Sequence, residues 1–134
     1  MSLRTIFLSK LFGLYCIVMA LAMAAHKETT LDTVRGLMHD PAALMLAGVF
    51  ALGVGLAMVL GHNVWRGGAL PVVVTVIGWL SLVKGVFLLM VTPACAADFY
   101  FGALHYAQMF YVYMAVIFLI GVYLTVSGYR AKAE

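Results

Sequence analysis

One lysine stands inside a long apolar run, and it is the residue whose chemistry most needs explaining. Lys84 falls within the run 71–91, about 10 Å of helix rise before that run ends. A charge within a membrane span is costly and by default marks a function. Helical side chains lean toward the helix N-terminus. With the N-terminus of the chain on the cytoplasmic side, that direction points away from the nearer water. Reaching the interface by snorkelling is therefore awkward, and a partner in the protein is expected. Asp40 and Asp98 belong to the same outer side, and Gln108 opens the next apolar run there. The expectation is an ion pair between Lys84 and Asp40 or Asp98. Snorkelling, and a Lys84 that faces the polar cavity of a small carrier, are the alternatives.

The four histidines raise metal and haem chemistry. His26, His39 and His105 fall near the outer boundary, with Asp40, Asp98 and Cys95 on the same side. Neutral imidazoles and carboxylates are a plausible first-row metal set. The spacing argues otherwise, because neither H-x-x-x-H nor H-E-x-x-H occurs and the three histidines stand at helix ends, not at facing mid-membrane positions. No metal site, catalytic residue or stoichiometric haem is expected. Haem or quinone binding near the outer face is kept as a redox alternative, with His26, His39 and His105 as its ligand candidates. The two cysteines, Cys16 and Cys95, form no C-x-x-C pair and stand at different depths, so neither a disulfide nor a thiol-redox site is expected. A P-loop, a dinucleotide fingerprint and a nucleophile elbow are all missing from the sequence.

The elements that must carry these residues are set by composition. Of 134 residues, 66% are hydrophobic and 10% charged, too few polar side chains to cover a water-facing surface. The apolar residues fall into four runs at about 6–25, 42–60, 71–91 and 104–127. Each is near the roughly 20 residues that span a bilayer. A spanning segment must satisfy its own backbone, so the runs are helices. The predicted fold is a single all-α integral membrane domain over 1–134, a four-helix bundle. The link from Lys27 to His39 is predicted to be a short amphipathic helix on the membrane surface. Thr29 or Thr30 caps it, and Leu31, Val34, Leu37 and Met38 share one face. The first run also resembles a signal peptide, with Arg4 and Lys10 before an apolar stretch that ends in small residues. Its reach back to Ile6 gives it spanning length and favours a retained helix.

The basic residues sit at the ends of the runs. Arg4, Lys10, Arg66, Arg130 and Lys132 fall on one side, against Lys27 and Arg35 on the other. That bias places both termini in the cytoplasm of a multi-pass protein of the bacterial inner (plasma) membrane. The formal charge of +3 is scattered, with no basic face, so nucleic acid is excluded as a partner and the lipid bilayer is the expected one.

Between the second and third runs, Gly61-His62-Asn63-Val64-Trp65-Arg66 reads as a tight connector with an interfacial tryptophan. Ala47, Ala51 and Gly55 make a small-residue stripe, as do Gly78, Ser81 and Gly85. Such stripes let helix backbones approach, within the chain or against another subunit. Phe99, Tyr100, Phe101, Tyr106, Phe110, Tyr111 and Tyr113 exceed what one interfacial belt needs. The stretch 99–113 is therefore also a candidate surface for another subunit, or a quinone or lipid groove.

The connector and the stretch Gly78-Trp79-Leu80-Ser81-Leu82-Val83-Lys84-Gly85 together resemble a group of small uncharacterised bacterial four-helix inner-membrane proteins. That group carries an H-N-x-W turn followed by G-W-x-x-L-x-K-G. The resemblance covers about 41–90. It implies that His62, Asn63, Trp65 and Lys84 belong to a shared pattern, and it brings no activity with it. In helix number and size the chain is also similar to the DoxX-like membrane proteins, without a diagnostic motif in common. The function expected from the sequence is that of a non-enzymatic accessory or assembly subunit of a larger membrane complex. The redox component and the carrier are its alternatives.

Overall fold

A computed structural model describes residues 2–131, so Lys132 lies outside the described residues. The helices are α1 (Leu3–Ala25), α2 (Lys27–His39), α3 (Pro41–Gly61), α4 (Ala69–Met90), α5 (Pro93–Ala97) and α6 (Phe110–Arg130), with a π-helical turn over Asp98–Ala103. No strand occurs among the described residues.

Local chemistry starts the helices where the sequence allows. The Ser2 hydroxyl accepts from the Thr5 amide at the head of α1. Asp40 caps α3 by accepting from the amides of Ala42 and Ala43 at 2.9 and 3.3 Å, and Pro41 fills the first helical position, where no N–H partner is needed. Gly67 and Gly68 both take positive φ in the turn before α4, a conformation that glycine adopts without steric cost.

α1, α3, α4 and α6 are each long and apolar enough to cross a membrane. Between 17% and 28% of their apolar windows is buried inside the protein, so most of that surface faces outward and needs lipid as its solvent. The chain is an integral membrane protein with four candidate spans.

The last span begins at Phe110, six residues later than the apolar run suggests. The intervening chain folds on itself. His105 adopts φ 49°, and its carbonyl accepts from the amides of Gln108 and Met109. The Tyr113 hydroxyl donates to the Leu104 carbonyl at 2.8 Å. Gln108 therefore sits exposed in a turn instead of opening a membrane helix.

α2 presents the expected face. Leu31 and Met38 are buried, Val34 and Leu37 half-buried, and Asp32, Arg35 and His39 exposed. It starts directly after His26, so the threonine caps are not used. Its apolar side packs against protein: Met38 joins Leu44, Leu88 and Ala96, while Leu31 joins Phe110 and Met114. The helix thus closes the end of the bundle where α1 and α4 finish and α3 and α6 begin.

The spans associate as two close pairs, α3 with α4 and α1 with α6, which are joined to each other more sparsely. Glycine sets both pairings, since lipid gives apolar side chains little reason to leave it and close backbone approach supplies the packing. Gly55 lies against the backbone of Leu82 and Gly85 against that of Leu52. The Ser81 hydroxyl donates to the Ala51 carbonyl at 3.0 Å between them. The two small-residue stripes thus meet inside the chain. In the other pair, Gly13 and Gly121 face each other, and a Cβ on Gly128 would lie 3.2 Å from that of Ser9. Met58, Leu70, Val74 and Leu124 form the core between the pairs at the opposite end from α2, with Leu8 and Phe12 against it.

Candidate functional site

The residues of the α3–α4 connector converge. Gly61 ends α3, and the chain turns back so that His62 is buried with its Nε2 3.4 Å from the Pro71 carbonyl. The Asn63 amide oxygen accepts from the Trp65 indole N–H at 2.7 Å and from that of Trp79 at 3.5 Å. Thr75, fully buried on the second turn of α4, accepts from the Val64 amide at 3.0 Å. Its hydroxyl proton is shared between the carbonyls of Pro71 at 2.9 Å and Val64 at 3.0 Å. These contacts fasten the connector to the start of α4. Chemically they satisfy backbone groups at a helix junction and leave both indoles at the surface for the interface.

Lys84 lies on the exposed surface of α4. Its flank is shared with Leu80 one turn earlier and Leu88 one turn later. Leu80 is exposed, whereas Leu88 is buried with Met38, Leu44 and Ala96. The ion pair expected from the sequence is not formed. Among the described residues the one salt bridge is Arg35–Asp32, at 3.3 Å on exposed α2. Asp40 instead serves as the cap of α3, and Asp98 is exposed at the start of the π-helical turn. A capping carboxylate is held by its own helix amides, which draws it away from a lysine on another helix.

The three histidines at the α2 end of the bundle stand apart. His26 is exposed at the α1–α2 joint, His39 bonds through Nδ1 to the Arg35 carbonyl at 2.7 Å, and His105 bonds to that of Ala103 at 3.2 Å. Among the described residues no three His, Cys, Asp or Glu side chains are grouped to hold a metal ion. Cys16 and Cys95 are both free.

Family models, curated proteins and solved structures give no match to this chain.

The aromatic residues between 99 and 113 stack on one another. Tyr106 is the hub, within 5.8–6.5 Å of Tyr113, Phe110, Phe101 and Tyr100 between ring centroids. Phe110 is fully buried, while Phe99 and Tyr111 stay exposed. Arg35 lies 5.3 Å from the Phe101 ring and Lys27 5.1 Å from that of Tyr111, tying α2 and its approach to this cluster. Burial pushes the Tyr100 phenol above its ordinary range, with Tyr106 adding to the effect, and burial does the same to Tyr106.

Sequence reasoning alone missed Thr75, Trp79 as the second indole on Asn63, and the Ser9–Gly13 and Gly121–Gly128 seam. Each left a trace. Thr75 is the one hydroxyl in Pro71-Val72-Val73-Val74-Thr75-Val76, four residues after the proline whose carbonyl it reaches. Thr5, Ser9 and Gly13 repeat every four residues, and Gly121, Thr125 and Gly128 share a helical face.

Proposed function

We propose that this chain is a non-enzymatic accessory or assembly subunit of a larger complex in the bacterial inner membrane, with both termini cytoplasmic. The observation that carries the reading is Lys84, which lies within a span, exposed, with no carboxylate of the described chain in ion-pair range. On insertion scales, a lysine at the centre of a spanning helix costs about 2.5–3.5 kcal/mol. A carboxylate or carbonyl on a neighbouring subunit's helix removes that cost. The packing supports the same view. Both small-residue stripes are consumed within the chain, while the Lys84–Leu80 flank and the exposed rings of Phe99 and Tyr111 are free to meet a partner.

A photo-crosslinking residue in place of Leu80, used in native membranes, tests this. The expected result is an adduct with a second polypeptide that weakens when Lys84→Met is added. Adducts with lipid alone, together with unchanged migration of Lys84→Met in native electrophoresis, would overturn the reading. A carrier with Lys84 facing a polar cavity gives a different pattern: no adduct, but solute uptake by vesicles that Lys84→Met abolishes.

A further inference from the structure

A groove of about 220 Å³ opens between α1 and α3 at the inner end of the protein, lined by Arg4, Phe7, Leu8, Ala57 and Gly61. It lies between the two helix pairs. Its volume is below the roughly 300–1,000 Å³ of pockets that enclose a whole small molecule, and it suits a length of hydrocarbon chain. Its polarity is graded. Arg4 and Gly61 belong to the helix ends at the mouth, and Phe7, Leu8 and Ala57 stand about one turn further in. Gly61 adds no side chain, which keeps the mouth open.

Charge selects the occupant. Arg4, Lys10, Arg66 and Arg130 all belong to this end, while the described acidic residues Glu28, Asp32, Asp40 and Asp98 belong to the other. Lys10 is turned toward α6, with its ammonium 4.3 Å from the Tyr129 ring centroid. Arg4 is the cation that lines the groove. We infer that the groove holds one acyl chain of an anionic phospholipid whose phosphate rests on Arg4. A guanidinium presents paired donors to a phosphate, and the apolar inner wall replaces the lipid contacts that the chain loses. The lipid then fills the space between two helix pairs that touch each other sparsely.

Native mass spectrometry of the full chain, released from nanodiscs of mixed phosphatidylglycerol and phosphatidylcholine, tests the inference. The wild type is expected to retain one phosphatidylglycerol in preference to phosphatidylcholine. Arg4→Gln is expected to weaken retention about fivefold, the effect of one basic side chain at an anionic surface. Gly61→Leu and Ala57→Leu should block the chain site. A Cβ at Gly61 meets no atom within 4 Å, so the first of these adds its side chain at the groove mouth without a clash at Cβ. Lys27→Gln, at the opposite end, is expected to retain the lipid. Equal retention of both lipids by the wild type would overturn the inference. So would retention unchanged in Arg4→Gln and in both filling variants, with helicity confirmed by circular dichroism.

Discussion

The Thr75 hydroxyl oxygen lies 3.0 Å from both the amide nitrogen and the carbonyl oxygen of Val64, eleven residues earlier in the chain. One side chain thereby holds both polar groups of a connector residue against the start of the following span. Thr75→Val keeps the shape and removes the bonds. It is expected to lower stability by about 1–3 kcal/mol, the cost of stranding a buried polar group. Thr75→Ser is expected to recover most of that loss. Thermal unfolding in detergent, followed by circular dichroism, gives both values.

Two glycines of the α3–α4 pair make opposite predictions. Gly85 lies against the Leu52 backbone, which cannot swing aside as a side chain tip can. Gly85→Ala is expected to cost about 1–3 kcal/mol through overpacking. Gly53 has nothing within 4 Å of an added Cβ. Gly53→Ala is expected to be neutral or to stabilise by up to about 1 kcal/mol, from helix propensity alone. The same melting experiment on the pair checks the sign at each position.

The aromatic cluster around Tyr106 is expected to loosen in alkali. The phenols of Tyr100 and Tyr106 are held above their ordinary value of 10.0 by burial. Between the unfolded and folded values the native state keeps protons that the unfolded state has released. Stability is then fully present below pH 10 and falls as pH rises through the folded values. Tyr106→Phe and Tyr100→Phe are expected to blunt the fall. Tyrosinate absorbance and melting temperature, each followed from pH 9 upward (about the range where phenols begin to ionise), measure it.

Topology is testable through Cys95, which is exposed within α5 at the end opposite the Gly67–Gly68 turn. With cytoplasmic termini, a membrane-impermeant maleimide is expected to label Cys95 in intact spheroplasts. A cysteine placed at Gly67 in a Cys95→Ser background is expected to react only after lysis. The reverse pattern would invert the orientation.

The spans and the amphipathic face of α2 were legible because they depend on local quantities. Apolar run length sets a span, and a 3.6-residue period sets a face. Even the meeting of Ala51 and Gly55 with Ser81 and Gly85 was half-visible, since short connectors make sequential helices neighbours. The pairing of α1 with α6 was not, because Gly13 and Gly121 are at opposite ends of the chain and either could have packed elsewhere. In lipid, partner choice rests on how closely whole backbones approach, which no single residue states. For the same reason the sequence offered Asp40 and Asp98 to Lys84 on the basis of shared depth. Only the tertiary structure showed one committed to its own helix and the other outside ion-pair range. The sequence determined that this is a four-span helical membrane protein with one charge inside a span. The three-dimensional packing decided which helices pair, and left that charge facing outward from them.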